Sequence, residues 1–350
     1  MTIQTIDPQQ AALMHSVFSR FRGQFRDPQL SGNIDIEVWD LLVELGLTRL
    51  TGTGDDGGEA TWIEAAALLQ SASSNGVPVP LAENDLLAGW LLDQVGLEAG
   101  TIRRTACIVD DSGAAPGVAW ASQVDRVVVL QRVEGSWFVH DIPTDELAIT
   151  RGLNLANEPR DNVQILVAPT FSARASESLK DEFVLRGALA RTLQICGAFS
   201  TILDICTTYT AQRLQFGRPI SRFQAVQRLV SEIAIEFSLS KSASERALHS
   251  AQLLGWAHPV VRFNVAVAKS CTGHAASVVA RNAHQALGAI GSTYEHELHR
   301  YTLPAVAWSS DFGSLASWDA LVAQLGGDAG PDGIWPLITG TPVPEAHVPA

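Results

Sequence analysis

Arg213-Leu214-Gln215-Phe216-Gly217-Arg218-Pro219-Ile220, with Phe223-Gln224-Ala225-Val226-Gln227 close behind, separates two long apolar periodicities. Upstream, Leu185, Leu189, Thr192, Cys196, Phe199, Leu203, Cys206 and Thr210 alternate at spacings of four and three, the stripe of one side of a long helix. Downstream, Val226, Val230, Ile233 and Phe237 repeat the spacing. Gly217 can take backbone angles closed to other residues, and Pro219 disfavours helix for the residue before it, so the helices meet at a corner. The stretch reads as a helical hairpin with a polar, cationic and aromatic tip. An arginine and a phenylalanine at such a corner also suit a helix cap and a core plug.

The string Tyr209-x-x-x-Arg213-x-Gln215-Phe216-Gly217-x-Pro219-Ile220-x-x-Phe223-Gln224 resembles the signature of the FAD-dependent acyl-CoA dehydrogenase family. In that family the loop crosses a subunit interface and holds the ADP half of a neighbour's FAD. The resemblance assigns Arg213, Phe216 and Gln224 to this task, which suits a guanidinium beside pyrophosphate, a ring by adenine and an amide on a polar edge. Gln285-Ala286-Leu287-Gly288-Ala289-Ile290-Gly291 resembles the second FAD segment, with Gln285 and Gly288 in matching places and Ala289 where the family has glycine. A helix stop at Gly288 and Gly291 is the plainer reading of that piece alone.

The resemblance implies a mainly α fold. An N-terminal helical domain (1-104), a small, shortened middle β domain (105-170) and a C-terminal four-helix bundle (171-350) carrying the FAD-contacting loops are expected. It further implies an acyl-CoA substrate, fatty or steroid, a tetramer with a related or identical chain, and an electron-transfer flavoprotein-type acceptor. Val77-Pro78-Val79-Pro80-Leu81-Ala82-Glu83 resembles a variant of actinobacterial branches, some of which pair unequal subunits.

Other features narrow the class. With 17% charged and 46% hydrophobic residues over 350 positions, the chain is globular, apolar and long enough for two or three domains. A net charge of -13 argues against nucleic acid or an anionic membrane surface as partner. Residues 1 to 8 show no signal-peptide pattern, and no apolar run is expected to span a bilayer. Cys107, Cys196, Cys206 and Cys271 are scattered without a C-x-x-C pair, which fits buried thiols in a reducing cytoplasm. His296-Glu297-Leu298-His299 spaces its imidazoles by three rather than four, so no metal site is expected there.

Along the chain, Leu13, Val17 and Phe21 form one helical stripe, and Val38 to Leu47 forms another that ends at a glycine. Asp56-Gly57-Gly58 opens a helical run from Thr61 to Ser71, and a further helix is expected from Leu86 to Val95. Val127-Val128-Val129-Leu130, Trp137-Phe138-Val139 and Val163 to Val167 are short β-rich runs. The Thr-Glu-Pro-x-x-Gly-Ser-Asp loop and Trp-Ile-Thr strand that wrap the flavin in the family have no counterpart. After Phe171 helices resume, with Val261, Val265, Ala268, Thr272, Ala275 and Val279 marking a third long one behind Pro259.

The implied reaction removes an α-proton while a hydride leaves the β-carbon for flavin, so a carboxylate base with a raised pKa must stand by the thioester. Counting from Gly288, the family's base position falls at Phe312; counting back from Arg213, the alternative position falls at Gly187. Neither has a carboxylate. Asp311 is the adjacent candidate, with a helix N-cap as its plainer role, and Glu295 is a weaker one. Three readings follow: a dehydrogenase with an unusual base, a partner subunit whose Arg213 loop completes the FAD site of a base-bearing chain, and a flavin-free scaffold or acyl-CoA-binding protein.

Overall fold

The structure, a computed structural model, describes residues 6–22, 32–53, 57–167 and 172–340. Residues 1–5, Asp56 and Phe171 lie outside the described residues. Helices α1 (Pro8–Ser19), α2 (Ile36–Glu44) and α3 (Trp62–Ser74) come first. Asp7, Asp35 and Thr61 each accept a backbone N–H of the first turn, and Thr61 with Glu64 forms a complete capping box. The stripe of α1 is rotated from expectation: Met14, Val17 and Phe18 are buried while Leu13 is exposed. The helix expected from Leu86 starts earlier, because Ala82–Gly89 form a π-helical segment that runs into α4 (Trp90–Gln94).

The β region holds more strands than the three apolar runs announce: β1 (Arg104–Ile108), β2 (Ala114–Ala119), β3 (Arg126–Val133), β4 (Ser136–Pro143), β5 (Leu147–Thr150), β6 (Arg160–Ile165) and β7 (Ala173–Ala175). One sheet has the order β1-β3-β4-β7, with β1 and β3 parallel, and a second has the order β2-β6-β5. Strand β3 explains its own unbroken apolar run. Val127 and Val129 face the second sheet with Cys107, Ile142 and Val163, whereas Val128 and Leu130 face Leu87, Leu91 and Phe183 of the helical part. A strand covered on both faces has no polar side to show.

The helices that follow are α5 (Ser178–Gln212), α6 (Gln224–Leu254), α7 (Pro259–Leu287), α8 (His299–Trp308) and α9 (Leu315–Thr339). The fourth member of the bundle is therefore divided between α8 and α9. Helix α5 is not striped but central, since every residue from Gly187 to Phe199 is buried, with α3 against one side and α6, α7 and α8 around the others. Contrary to expectation, α5 is long and apolar enough by length and composition to cross a membrane, but 83% of its most apolar window is buried inside the fold. On α6, by contrast, only Ile233 of the expected stripe is fully buried, and Ile235 and Leu239 are exposed.

This difference is measurable by thermal or denaturant unfolding. Leu189→Ala on α5, fully buried, is expected to cost about 2–5 kcal/mol, whereas Ile235→Ala on α6 should change the stability of the isolated chain by no more than about 0.5 kcal/mol.

Candidate functional site

The two expected base positions meet in space. Phe312 lies against Gly187 so closely that a Cβ on the glycine would collide with the phenyl ring. The ring also packs edge-on to Phe183, 6.0 Å between centroids, and lies 5.8 Å from the guanidinium carbon of Arg191. Phe312 holds a φ of 59°, a left-handed angle unusual for a bulky side chain. The place where the implied chemistry needs a carboxylate is thus occupied by an aromatic ring against a bare helix backbone.

Asp311, the adjacent candidate, is held between two guanidiniums. One of its oxygens accepts from Arg160 Nη2 and from Arg191 Nε, both at 2.8 Å. Burial pushes its carboxyl up, but the Arg191 and Arg160 charges outweigh this, and the net effect holds it below the ordinary carboxylate range. A carboxylate bound by two guanidiniums and stabilised as the anion is a poor acceptor for a carbon-bound proton. It is not the cap of the following helix either, since Ser314 caps α9. Glu295 is exposed on the segment between α7 and α8.

Around Asp311 lies a buried polar network. Arg191 reaches Glu83 of the π-helical segment and donates to Gln194 at 2.6 Å. Glu158 accepts from Trp308 Nε1 at 2.8 Å, from Asn154 at 2.9 Å and from Arg160 at 3.3 Å. Lys269 donates to the Trp308 carbonyl at 2.8 Å, and burial lowers its amine to about 7. Three carboxylates, two guanidiniums and an amine thus tie the first helices, the β region and the bundle together. These residues escaped the sequence reading, although Arg191, the one charge between Gly187 and Leu203, was a legible signal that a buried partner must exist.

The hairpin tip is built as its sequence implies. Strands β8 (Leu214–Gln215) and β9 (Arg218–Pro219) pair across Phe216 and Gly217, whose φ values of 53° and 76° are the left-handed pair a two-residue hairpin requires. The Arg213 N–H donates to Tyr209 and its carbonyl accepts from Ile220, both at 2.9 Å, which pins the loop to the end of α5. Arg218 lies over the Phe223 ring at 4.3 Å. Phe216 is 91% exposed, and Arg213, Gln215 and Gln224 are exposed beside it.

Gln285 and Gly288 sit at the C-terminal end of α7, which runs in the same sense as α5, so both segments lie at one end of the bundle. The Tyr209 and His296 rings, 6.3 Å apart, join these ends. Gly288 has φ 68° and ψ -145°, and a Cβ there would meet nothing within 4 Å in this chain. Its backbone angle, rather than crowding, demands glycine. Neither the tip nor this segment reaches Gly187 and Phe312 through any hydrogen bond or ring contact among the described residues. His296 and His299 serve local roles: His299 Nδ1 donates to the His296 carbonyl at 2.8 Å and His296 accepts from the Leu298 N–H at 3.1 Å. Among the described residues no cluster of three or more His, Cys, Asp or Glu is placed to hold a metal ion.

Comparison with known proteins converges on one family. Residues 182–308 match the model described as acyl-CoA dehydrogenase, C-terminal domain. Acyl-CoA dehydrogenase FadE34 of Mycobacterium tuberculosis is 28% identical over 312 residues, covering 84% of this chain but 43% of its own length. Human mitochondrial short-chain specific acyl-CoA dehydrogenase is 27% identical over 258 residues, 63% of this chain and 58% of that one. The chain therefore spans less than two thirds of each of these relatives. Among solved structures, the ChsE4-ChsE5 complex from Mycobacterium tuberculosis superposes with a TM-score of 0.80 at 17% identity, over 93% of this chain and 98% of that one. At that identity the likeness speaks for the fold alone.

Because the folded-state pKa of Asp311 is depressed, its contribution to stability is present above the ordinary carboxylate pKa and is lost as pH falls through the folded value. Asp311→Asn is expected to destabilise by about 3 kcal/mol at neutral pH, removing the anion that Arg160 and Arg191 share and leaving them only Glu158 and Glu83, with the gap to the unsubstituted protein closing below about pH 4 in unfolding titrations.

Proposed function

Starting from membership in the acyl-CoA dehydrogenase family, we propose that this chain is the non-catalytic member of an unequal pair, serving α,β-dehydrogenation of a fatty or steroid acyl-CoA by a related, base-bearing chain. The observation that carries this reading is the packing of Phe312 on Gly187, which leaves no carboxylate at either base position, together with the binding of Asp311 by Arg160 and Arg191. The exposed tip supports a role in trans. Arg213, Phe216 and Gln224 point away from their own bundle and suit the ADP half of an FAD held by the neighbour.

Fit to FAD is therefore half. The tip and the Gln285–Gly288 turn offer cationic, aromatic and amide groups to a dinucleotide, whereas this chain's own centre is filled by Phe312 and the guanidinium network. When bound, the flavin supplies the hydride acceptor. This chain's part is to grip: Arg213 would neutralise pyrophosphate, Phe216 would give up its exposed surface to the adenine side, and Gln224 would fix orientation. FadE34, roughly twice as long as the segment matched here, has room for two such units in one chain, which also supports a paired arrangement.

Further readings accompany this one. The three-part division at 104 and 170, a tetramer with bundle helices buried at its centre, and an electron-transfer flavoprotein-type acceptor follow from the same resemblance. Four unpaired cysteines, three of them buried, support a reducing compartment such as the cytoplasm.

The test is co-expression with a related chain that carries the glutamate. The complex should be yellow, and Arg213→Ala should weaken its retention of FAD by about tenfold or more, the worth of a charge-assisted hydrogen bond, without changing the melting of the isolated chain. FAD retained at unaltered affinity in the Arg213→Ala complex contradicts the proposal.

A further inference from the structure

A cavity runs between the end of α3, the start of the π-helical segment, α5 and α8, with apolar walls from Leu69, Val77, Leu81, Ala198, Leu303 and Trp308. Its polar lining is unusual. Glu83, whose side chain is 3% exposed, gives one oxygen to Arg191, while its other oxygen, Oε2, is buried with no hydrogen-bond partner among the described residues. A buried carboxylate oxygen without a donor costs about 1–3 kcal/mol or more, so the fold gains if something in the cavity supplies one. A second acceptor stands on the same lining. His299 must carry its proton on Nδ1, because that atom faces the His296 carbonyl, and its Nε2 is therefore a lone pair, also buried and without a partner among the described residues. Burial lowers the His299 pKa, which favours this neutral form. Gln194, also lining the cavity, has its carbonyl oxygen taken by Arg191.

The charged groups beneath this lining already have partners. Glu83, Glu158 and Asp311 pair with Arg160 and Arg191, and the Lys269 amine donates to the Trp308 carbonyl beside them, so a charged guest would find no free counter-charge in this network. A thioester, with acceptors only at its head, offers Glu83 nothing, and the guanidiniums on the same lining, Arg191 and Arg300, already face Glu83, Asp311 and Glu297 rather than an anionic guest. We propose that this cavity is a binding site for an uncharged, compact apolar molecule bearing a hydroxyl, which donates to Glu83 Oε2 at depth. Exposed Tyr294 marks the mouth. The site is independent of the Arg213 tip, and its fate does not decide the subunit reading.

Two probes with one skeleton test it on the full-length chain: 4-cyclohexylcyclohexanol, which can donate, and 4-cyclohexylcyclohexanone, which cannot. Titration calorimetry should give the alcohol at least tenfold tighter binding than the ketone. Glu83→Leu should bring the two probes to equal affinity. Should that variant fail to fold for want of an Arg191 partner, Ala198→Leu fills the cavity without touching the network and should abolish binding of the alcohol while leaving the melting temperature unchanged. Equal binding of the two probes to the unsubstituted chain, no binding of either, or undiminished binding to a folded Ala198→Leu protein overturns the proposal.

Discussion

The contact between Phe312 and Gly187 constrains everything else this chain can do. A phenyl ring held at a left-handed backbone angle, wedged against a helix that has no side chain there, closes the centre of the fold to a carboxylate. The neighbouring polar groups are arranged around that closure. Asp311 turns to Arg160 and Arg191, Arg191 continues to Glu83, and Glu158 receives Arg160 and the Trp308 indole. Such a network is costly to desolvate and is sustained only because nearly every member is paired. It gives the centre a structural task, joining three regions.

The opposite end of the bundle shows the reverse balance. A two-residue hairpin holds Phe216 almost fully in solvent and sets arginines beside it, although a ring of that size stabilises a protein only when buried. Helix α6, which begins at this tip, carries Ile235 and Leu239 on its open side as well. An isolated chain derives nothing from these exposures. Under the paired arrangement proposed above, a neighbouring subunit and its dinucleotide would cover them, and the closed centre and the open tip would be two halves of one division of labour.

Much of this was legible before any coordinates, and the misses have physical causes. The hairpin, the long helices and the β region follow from periodicity and from Gly217 and Pro219, because local backbone preference and burial agree there. The α5 stripe from Leu185 to Thr210 follows one face only, yet Ala188, Ala190, Gly197 and Ala198 are buried on the other sides because small residues let neighbouring helices approach. Strands β1, β2, β5 and β7 were missed because they are short and half-polar and take their order from pairing partners far along the chain. The empty base positions could be counted from motifs, but that they touch one another could not. Nor could Glu83, Glu158 and Arg160 be assigned to Arg191 and Asp311, since the pairs lie up to 151 positions apart.

The stoichiometry of flavin in the assembled complex tests the central claim most directly. If this chain grips its neighbour's cofactor but has no working centre of its own, native mass spectrometry and absorbance should find one FAD for each pair of unlike chains. One FAD for every chain, or full flavin loading of this chain by itself, would contradict it.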